Sequence, residues 1–399
     1  MPFVKHDAHR LGWQQNDRYL WIEAWGENSL RIRSGRHLPV MRNEDWALTA
    51  RPASDAAELI CSEEGTQATL RNGKITAIVN KQGQIAFWRD ADKCLLQEFW
   101  RQRGEIGEDE SAHGQYVSAL NLEGREIRPI PGGKYSLKVR FEANEDEKIY
   151  GMGQYQQPHL NLKGCMLELA QRNSQASVPF MLSSRGYGFL WNNPAVGRVT
   201  FAQNMTEWEA AVSEQIDYWI TAGDTPAEIS RAYARVTGTP PVMPDYAMGF
   251  WQCKLRYRTQ QELLEVAREY KRRQLPLSVI VIDFFHWPNQ GDWCFDSRDW
   301  PDPDAMIAEL KSLGIELMVS FWPTVERRTE SYRIMRENGW LVQTDRGLPI
   351  NMDFLGNTTY FDATHPDARQ YVWRKAKENY YDKGVKLFWL DEAEPEYSV

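Results

Sequence analysis

Phe388-Trp389-Leu390-Asp391-Glu392-Ala393-Glu394-Pro395-Glu396-Tyr397 is a hydrophobic run of strand type that ends in a cluster of carboxylates. Upstream, Val279-Ile280-Val281-Ile282-Asp283 repeats the pattern, and Leu317-Met318-Val319-Ser320-Phe321 ends on Trp322-Pro323. Apolar runs over 247–251, 277–284, 316–322 and 386–390 are predicted as strands. Amphipathic segments lie between them: Gln261 to Tyr270, Asp304 to Leu313 with Gly314 as C-cap, and Ala368 to Tyr381. Strands alternating with helices predict a parallel sheet built from right-handed crossovers, about half of a (β/α)8 TIM barrel. A doubly wound sheet also fits four strands, but no glycine-rich nucleotide turn follows any of them. Acids and aromatics stand at the strand ends instead, where a barrel enzyme carries its chemistry.

From Tyr19 to about Trp219 the pattern is different. Short alternating runs such as Leu30-Arg31-Ile32-Arg33, Lys74 to Val79 and Tyr135 to Phe141 are broken by Gly, Asn and Asp. Period-two alternation predicts antiparallel strands in a β-sandwich. A capped segment, Thr225-Pro226-Ala227-Glu228-Ile229, predicts a helix, and Gly238-Thr239-Pro240-Pro241-Val242-Met243-Pro244 breaks the chain. The expected domains are therefore an N-terminal β-sandwich over 1–240 and a partial catalytic barrel over 241–399 that stops after its fourth strand.

Composition narrows the class of function. The 399 residues are 42% hydrophobic with a formal net charge of -8. Nucleic acid is a poor partner for such a chain, because phosphate neutralisation needs a basic stripe. The five cysteines are scattered without a C-x-x-C pair, which argues against zinc and redox couples and for reduced thiols. No secretory leader and no apolar run of about 20 residues is seen, so the expectation is a cytoplasmic protein without membrane spans. The 17 Trp and 17 Tyr are a heavy aromatic load that packing can absorb and that sugar-binding enzymes also favour.

A carboxylate where an apolar strand meets a loop must be solvated or bonded to a ligand. Asp283 could instead cap a helix or join a surface ion pair, Trp322 could be core, and the acids after Asp391 could be a solvated tail. Tails are rarely launched from buried strands, however. Carboxylates amid aromatics on a barrel rim suit glycosidic bond cleavage, in which an anion faces a developing oxocarbenium and rings bind the apolar faces of sugars. His286 either touches substrate or stacks on Trp287.

Together these motifs resemble glycoside hydrolase family 31 over nearly the whole chain. The match runs in order through Tyr150-Gly151-Met152-Gly153-Gln154, Met248-Gly249-Phe250-Trp251-Gln252, Val281-Ile282-Asp283, Ser320-Phe321-Trp322-Pro323 and Trp389-Leu390-Asp391-Glu392-Ala393-Glu394. The resemblance implies a retaining exo-acting α-glycosidase with Asp391 as nucleophile, forming a covalent glycosyl-enzyme. It implies that Glu394 orients the site and touches the sugar, and that Asp283 grips distal hydroxyls. Trp251, Trp322 and Trp389 would line the pocket, and Gln154 would reach over from the sandwich. Where α-glucosidases of the family commonly carry D-x-D, this chain has Asp283-Phe284-Phe285. The bulk of Phe285 resembles the family's α-xylosidases and favours xylose, which lacks a hydroxymethyl arm. The fourth-strand motif departs from the K-T-D-F-G-E form of some α-xylosidases, so glucoside, galactoside and transglycosylation stay open. The implied partner is an oligosaccharide, with no cofactor and no metal.

A retaining glycosidase also needs a second carboxyl about 5–5.5 Å from the first. The family takes it from a later barrel strand, so this chain is expected to lack its acid/base and to be inactive alone. A half-barrel leaves open edges that favour self-association into a homo-oligomer. The rival readings are a non-catalytic sugar-binding protein and a fragment that folds only with a complementing half.

Overall fold

The computed structural model describes residues 2–36, 47–49, 57–62, 64–90, 92–101, 122–344, 347, 350–351 and 358–394. Glu396 of the acidic cluster lies outside them. The chain divides into two units, Met1–Pro240 and Pro241–Val399.

The first unit is built from antiparallel sheets. One has eight strands in the order Phe3–Asp7, Arg10–Gln15, Arg18–Ala24, Ser29–Gly35, Ile216–Ala222, Tyr187–Trp191, Ala176–Ser183 and Ile149–Gln154. A second runs Arg125–Pro129, Tyr135–Glu142, Met205–Ser213, Gly197–Phe201 and Met166–Leu169. A third is a five-stranded meander from Ala57 to Gln97. Their inward residues share one core that includes Leu30, Ile32, Leu70, Val79, Phe87, Val139, Phe141 and Tyr218. The strands begin at Phe3, earlier than the alternation marked them.

The run Leu30-Arg31-Ile32-Arg33 behaves in a way that alternation alone does not convey. Leu30 and Ile32 face the core, yet Arg31 and Arg33 are also 0% exposed. Arg31 Nη2 pairs with Asp217 Oδ2 at 2.6 Å and Arg33 Nη2 with Glu23 Oε2 at 2.5 Å. Trp25 lies under the Arg31 guanidinium at 4.5 Å, and Trp21 under that of Arg33 at 5.1 Å. Ion pairing and stacking replace the lost water. Asp217 is pushed above the usual carboxylate range by its burial, against the pull of Arg31. The helix Pro226–Thr237 closes the unit, with Thr225 Oγ1 accepting from Glu228 N at 3.2 Å.

In the second unit four strands, Trp251–Gln252, Val279–Ile282, Glu316–Phe321 and Leu387–Leu390, pair in parallel in chain order. Helices Gln260–Arg272, Pro303–Ser312 and Pro366–Ala376 connect them. The helix starts follow local chemistry. Thr259 caps the first while Glu262 reaches back to Arg258 N at 2.8 Å; Asp302 caps the second at 2.9 Å, with Pro303 behind it.

Five elements differ from the sequence reading. The predicted strand over 247–251 is mostly a 3-10 turn, Asp245–Met248, entered from Pro244 and closed by Gly249 N donating to Tyr246 O at 3.1 Å. Only Trp251 and Gln252 find ladder partners, Val279 and Ile280. The helix predicted to Tyr381 ends at Ala376 and continues as a π-helical turn over Lys377–Tyr381. The short helix Glu330–Glu337 and the antiparallel pair Thr324–Glu326 with Thr358–Tyr360 are additions, too brief for periodicity to reveal.

Alternation sorts the parallel sheet into two faces. Ile280, Ile282, Leu317, Val319, Phe321 and Phe388 pack toward Leu263, Met306, Leu310 and Tyr371 of the helices. Val279, Val281, Met318 and Leu387 point the other way, with Tyr246 against them.

Candidate active site

Extending that second face by one step beyond each strand end brings four chemically capable side chains to one rim. They are Cys253, two residues after Trp251; Asp283, two after Val281; Trp322, two after Ser320; and Asp391, two after Trp389. Their contacts agree with this parity. Cys253 Sγ donates to Asp283 Oδ2 at 3.8 Å, and Trp322 Nε1 donates to Asp391 Oδ2 at 3.1 Å. The Asp391 amide continues the ladder, donating to Phe321 O at 3.3 Å.

Burial raises the Asp283 carboxyl above its ordinary value; the Phe284 N–H, 2.8 Å from Oδ1, opposes this and the nearby charge of Asp391 adds to it. The Cys253 thiol is pushed up to about 11, first by burial and then by Asp283. At neutral pH it is therefore a thiol that donates, and not a thiolate.

Aromatic rings form the wall behind the acids. Trp322, only 2% exposed, meets Phe284 at 5.3 Å, Phe285 at 5.5 Å and Trp287 at 5.8 Å between centroids. Its carbonyl accepts from Trp293 Nε1 at 2.8 Å, so both ends of the residue are tied. Trp251 and Trp389 lie on the same face and are 38% and 47% exposed. Trp251 Nε1 donates to Ala247 O at 3.2 Å. The buried Ser320 Oγ takes no hydrogen bond among the described residues.

His286 belongs to the supporting structure. It is 2% exposed, with Nδ1 3.0 Å from Asp283 O and Nε2 2.9 Å from Tyr380 Oη. Its ring meets Trp287 edge-on at 4.7 Å. Desolvation lowers its pKa to about 4, so the ring is neutral and braces the turn that carries Asp283.

Glu394 is half-buried, and its carbonyl accepts from Tyr360 Oη at 3.3 Å. Gln154 ends a strand of the other unit, paired with Ala176 and exposed. Sequence reasoning missed Cys253, which the period-two rule from Trp251 could have found. It also missed Arg256, whose guanidinium sits over the Phe285 ring at 5.3 Å from a loop without periodicity. Among the described residues no group of three or more His, Cys, Asp or Glu side chains is placed to hold a metal ion. No described helix is long and apolar enough to cross a membrane.

The arrangement offers a carboxylate with one oxygen oriented by an indole, a second carboxylate beside it, and aromatic walls. Comparison with known proteins agrees with this chemistry. Residues 240–398 match the glycosyl hydrolases family 31 TIM-barrel domain, and residues 19–199 match the glycosyl hydrolase 31 N-terminal galactose mutarotase-like domain. An uncharacterized family 31 glucosidase of Pseudescherichia vulneris is 60% identical over 99% of this chain, which spans 74% of that protein. Alpha-xylosidase A of Aspergillus niger is 34% identical over 94% of this chain, which spans 51% of it. The crystal structure of a GH31 alpha-xylosidase from a soil metagenome, complexed with xylose, superposes with a TM-score of 0.92 at 61% identity; it is matched over 100% of this chain and 58% of its own. This chain, a β-sandwich followed by barrel strands, belongs to glycoside hydrolase family 31.

Proposed function

We propose that the chain serves a retaining exo-acting α-glycosidase that releases terminal α-linked xylose from oligosaccharides. The observation that carries the reading is the hydrogen bond from Trp322 Nε1 to Asp391 Oδ2 at 3.1 Å. It fixes one carboxylate oxygen and leaves the other for attack at an anomeric carbon. In this reading 241–399 is the catalytic barrel portion and 1–240 the N-terminal β-sandwich. Asp391 is the nucleophile, Glu394 orients the site, and Asp283 receives distal hydroxyls of the sugar. Trp251, Trp322 and Trp389 hold the sugar's apolar faces, and Gln154 serves from the sandwich unit. The acid/base carboxyl is not assigned within these 399 residues.

Xyloside is favoured over glucoside in this reading because Phe285 stands where α-glucosidases of the family carry the second acid of D-x-D, and its bulk would disfavour a hydroxymethyl arm. Steric exclusion of that kind is worth ~1–3 kcal/mol, roughly ten- to a hundredfold. Relatives named α-xylosidase support the choice.

The test is covalent capture with a ring-fluorinated α-xylosyl fluoride. An Asp391 oxygen displaces fluoride from the anomeric carbon, and fluoride leaves as the anion without needing a proton. The label therefore reports the nucleophile separately from any acid. One adduct per chain, mapped to Asp391 and absent in Asp391→Ala, is the expected result. Sugar binding without an adduct would mean a non-catalytic binder.

A further inference from the structure

Phe285 has a backbone φ of 63°, in the left-handed region that bulky residues rarely enter. Such a conformation persists only where surrounding contacts over-determine it. Two of its ring contacts, Phe284 at 4.9 Å and Trp287 at 6.2 Å, come from its own loop and move with it. The other two come from elsewhere in the unit. Trp322 follows the third strand, and Arg256 follows the first, its guanidinium carbon 5.3 Å from the ring centroid.

The loop that delivers Arg256 is itself fixed. Tyr257, its neighbour, is 3% exposed in the core between strands and helices. Arg258 N donates to Glu262 Oε2 at 2.8 Å, and Lys254 pairs with the same carboxylate. Arg256 takes no ion pair among the described residues, so the ring is the partner its cation has. A guanidinium held over an aromatic face is attracted by the ring quadrupole, and its planar head also packs on the ring.

We propose that Arg256 is a specificity-positioning residue: it clamps the Phe285 ring from the first-strand loop and so holds the barrier that excludes a hydroxymethyl arm. The inference rests on the reading of Phe285 given above. Arg256 acts through that ring, so its loss changes which sugar is accepted and leaves the chemistry at Asp391 in place.

The experiment compares capture rates of ring-fluorinated α-xylosyl and α-glucosyl fluorides, read by intact mass, in the 399-residue chain and its variants. In Arg256→Met the xylosyl-to-glucosyl ratio is expected to fall about three- to tenfold, with the xylosyl rate within about twofold of the parent. Arg256→Lys, which keeps a cation, retains most of the ratio. In a Phe285→Ala background, Arg256→Met leaves the ratio unchanged. An unaltered ratio in Arg256→Met overturns the inference. So does a lysine variant as poor as the methionine one, or a xylosyl rate that collapses with the ratio. These outcomes differ from failure of the underlying reading, which shows in the parent chain as no adduct at Asp391 or as faster capture of the glucosyl reagent.

Discussion

Trp322 and Asp391 meet across neighbouring strands, indole Nε1 to carboxylate Oδ2 at 3.1 Å, and the indole is almost wholly buried while the carboxylate is half open. The buried partner is therefore the one that sets the geometry. Trp322→Phe keeps an aromatic ring beside Phe284 and Phe285, removes the donor and leaves a small void where the indole was larger. A hydrogen bond to a charged group contributes about 1.5–3 kcal/mol. Capture at Asp391 should slow by roughly ten- to a hundredfold, measured as the rate of adduct formation at a temperature where both chains are folded.

His286 should make stability depend on acid. Its folded pKa of about 4 lies below the ordinary 6.5, so between these values the unfolded chain binds the extra proton. Stability from this site is present above pH 6.5 and is lost as pH falls toward 4, on the order of 3 kcal/mol in all. Urea midpoints for the barrel unit at several pH values measure it. His286→Gln should flatten that segment of the profile; an unchanged slope would show that another group titrates there.

The Cys253 thiol is exposed yet reluctant to ionise, at about 11. At pH 8 its thiolate fraction is about a hundredfold below that of a thiol with an ordinary pKa near 9, and iodoacetamide should modify it correspondingly slowly. Asp283→Asn removes the neighbouring negative charge and should accelerate alkylation of Cys253 severalfold. Mass mapping of the carbamidomethylated peptide reads both rates.

In the sandwich unit, Arg31→Leu alone leaves Asp217 buried without its main partner. Breaking a buried pair in this way costs about 3–5 kcal/mol. Replacing both, Arg31→Leu with Asp217→Leu, should recover most of the loss, as seen in chemical unfolding midpoints. Equal loss in single and double variants would mean that packing on Trp25 matters more than charge.

The barrel strands were legible because burial on both faces demands continuous apolar runs, as in Val279 to Ile282. The acids at their ends stood out against that background. Asp391 and Asp283 could be named from sequence because a charge after such a run is conspicuous. What remained hidden depends on tertiary contacts. Arg256 meets Phe285 through a loop of no period, and the fate of Arg31 is decided by Asp217, which lies 186 positions away. Local turn chemistry at Pro244 and Gly249 also outweighed the strand preference of Phe250 and its neighbours. For His286 the sequence leaves two roles open, and the bond to Tyr380, from the π-helical turn, makes it a brace.

The common face of Asp283 and Asp391 is a matter of parity, since each stands an even number of residues beyond inward members of its strand, Val281 and Trp389. Substitutions can tune such a rim gradually, but insertions and deletions act on it in steps. Losing one residue between Lys386 and Asp391 would swing the Asp391 carboxylate to the helix side, and losing two would restore its direction about 6.6 Å short of its place. Length variation in relatives that keep this rim should therefore be confined to the segments after the rim residues and before the next strand.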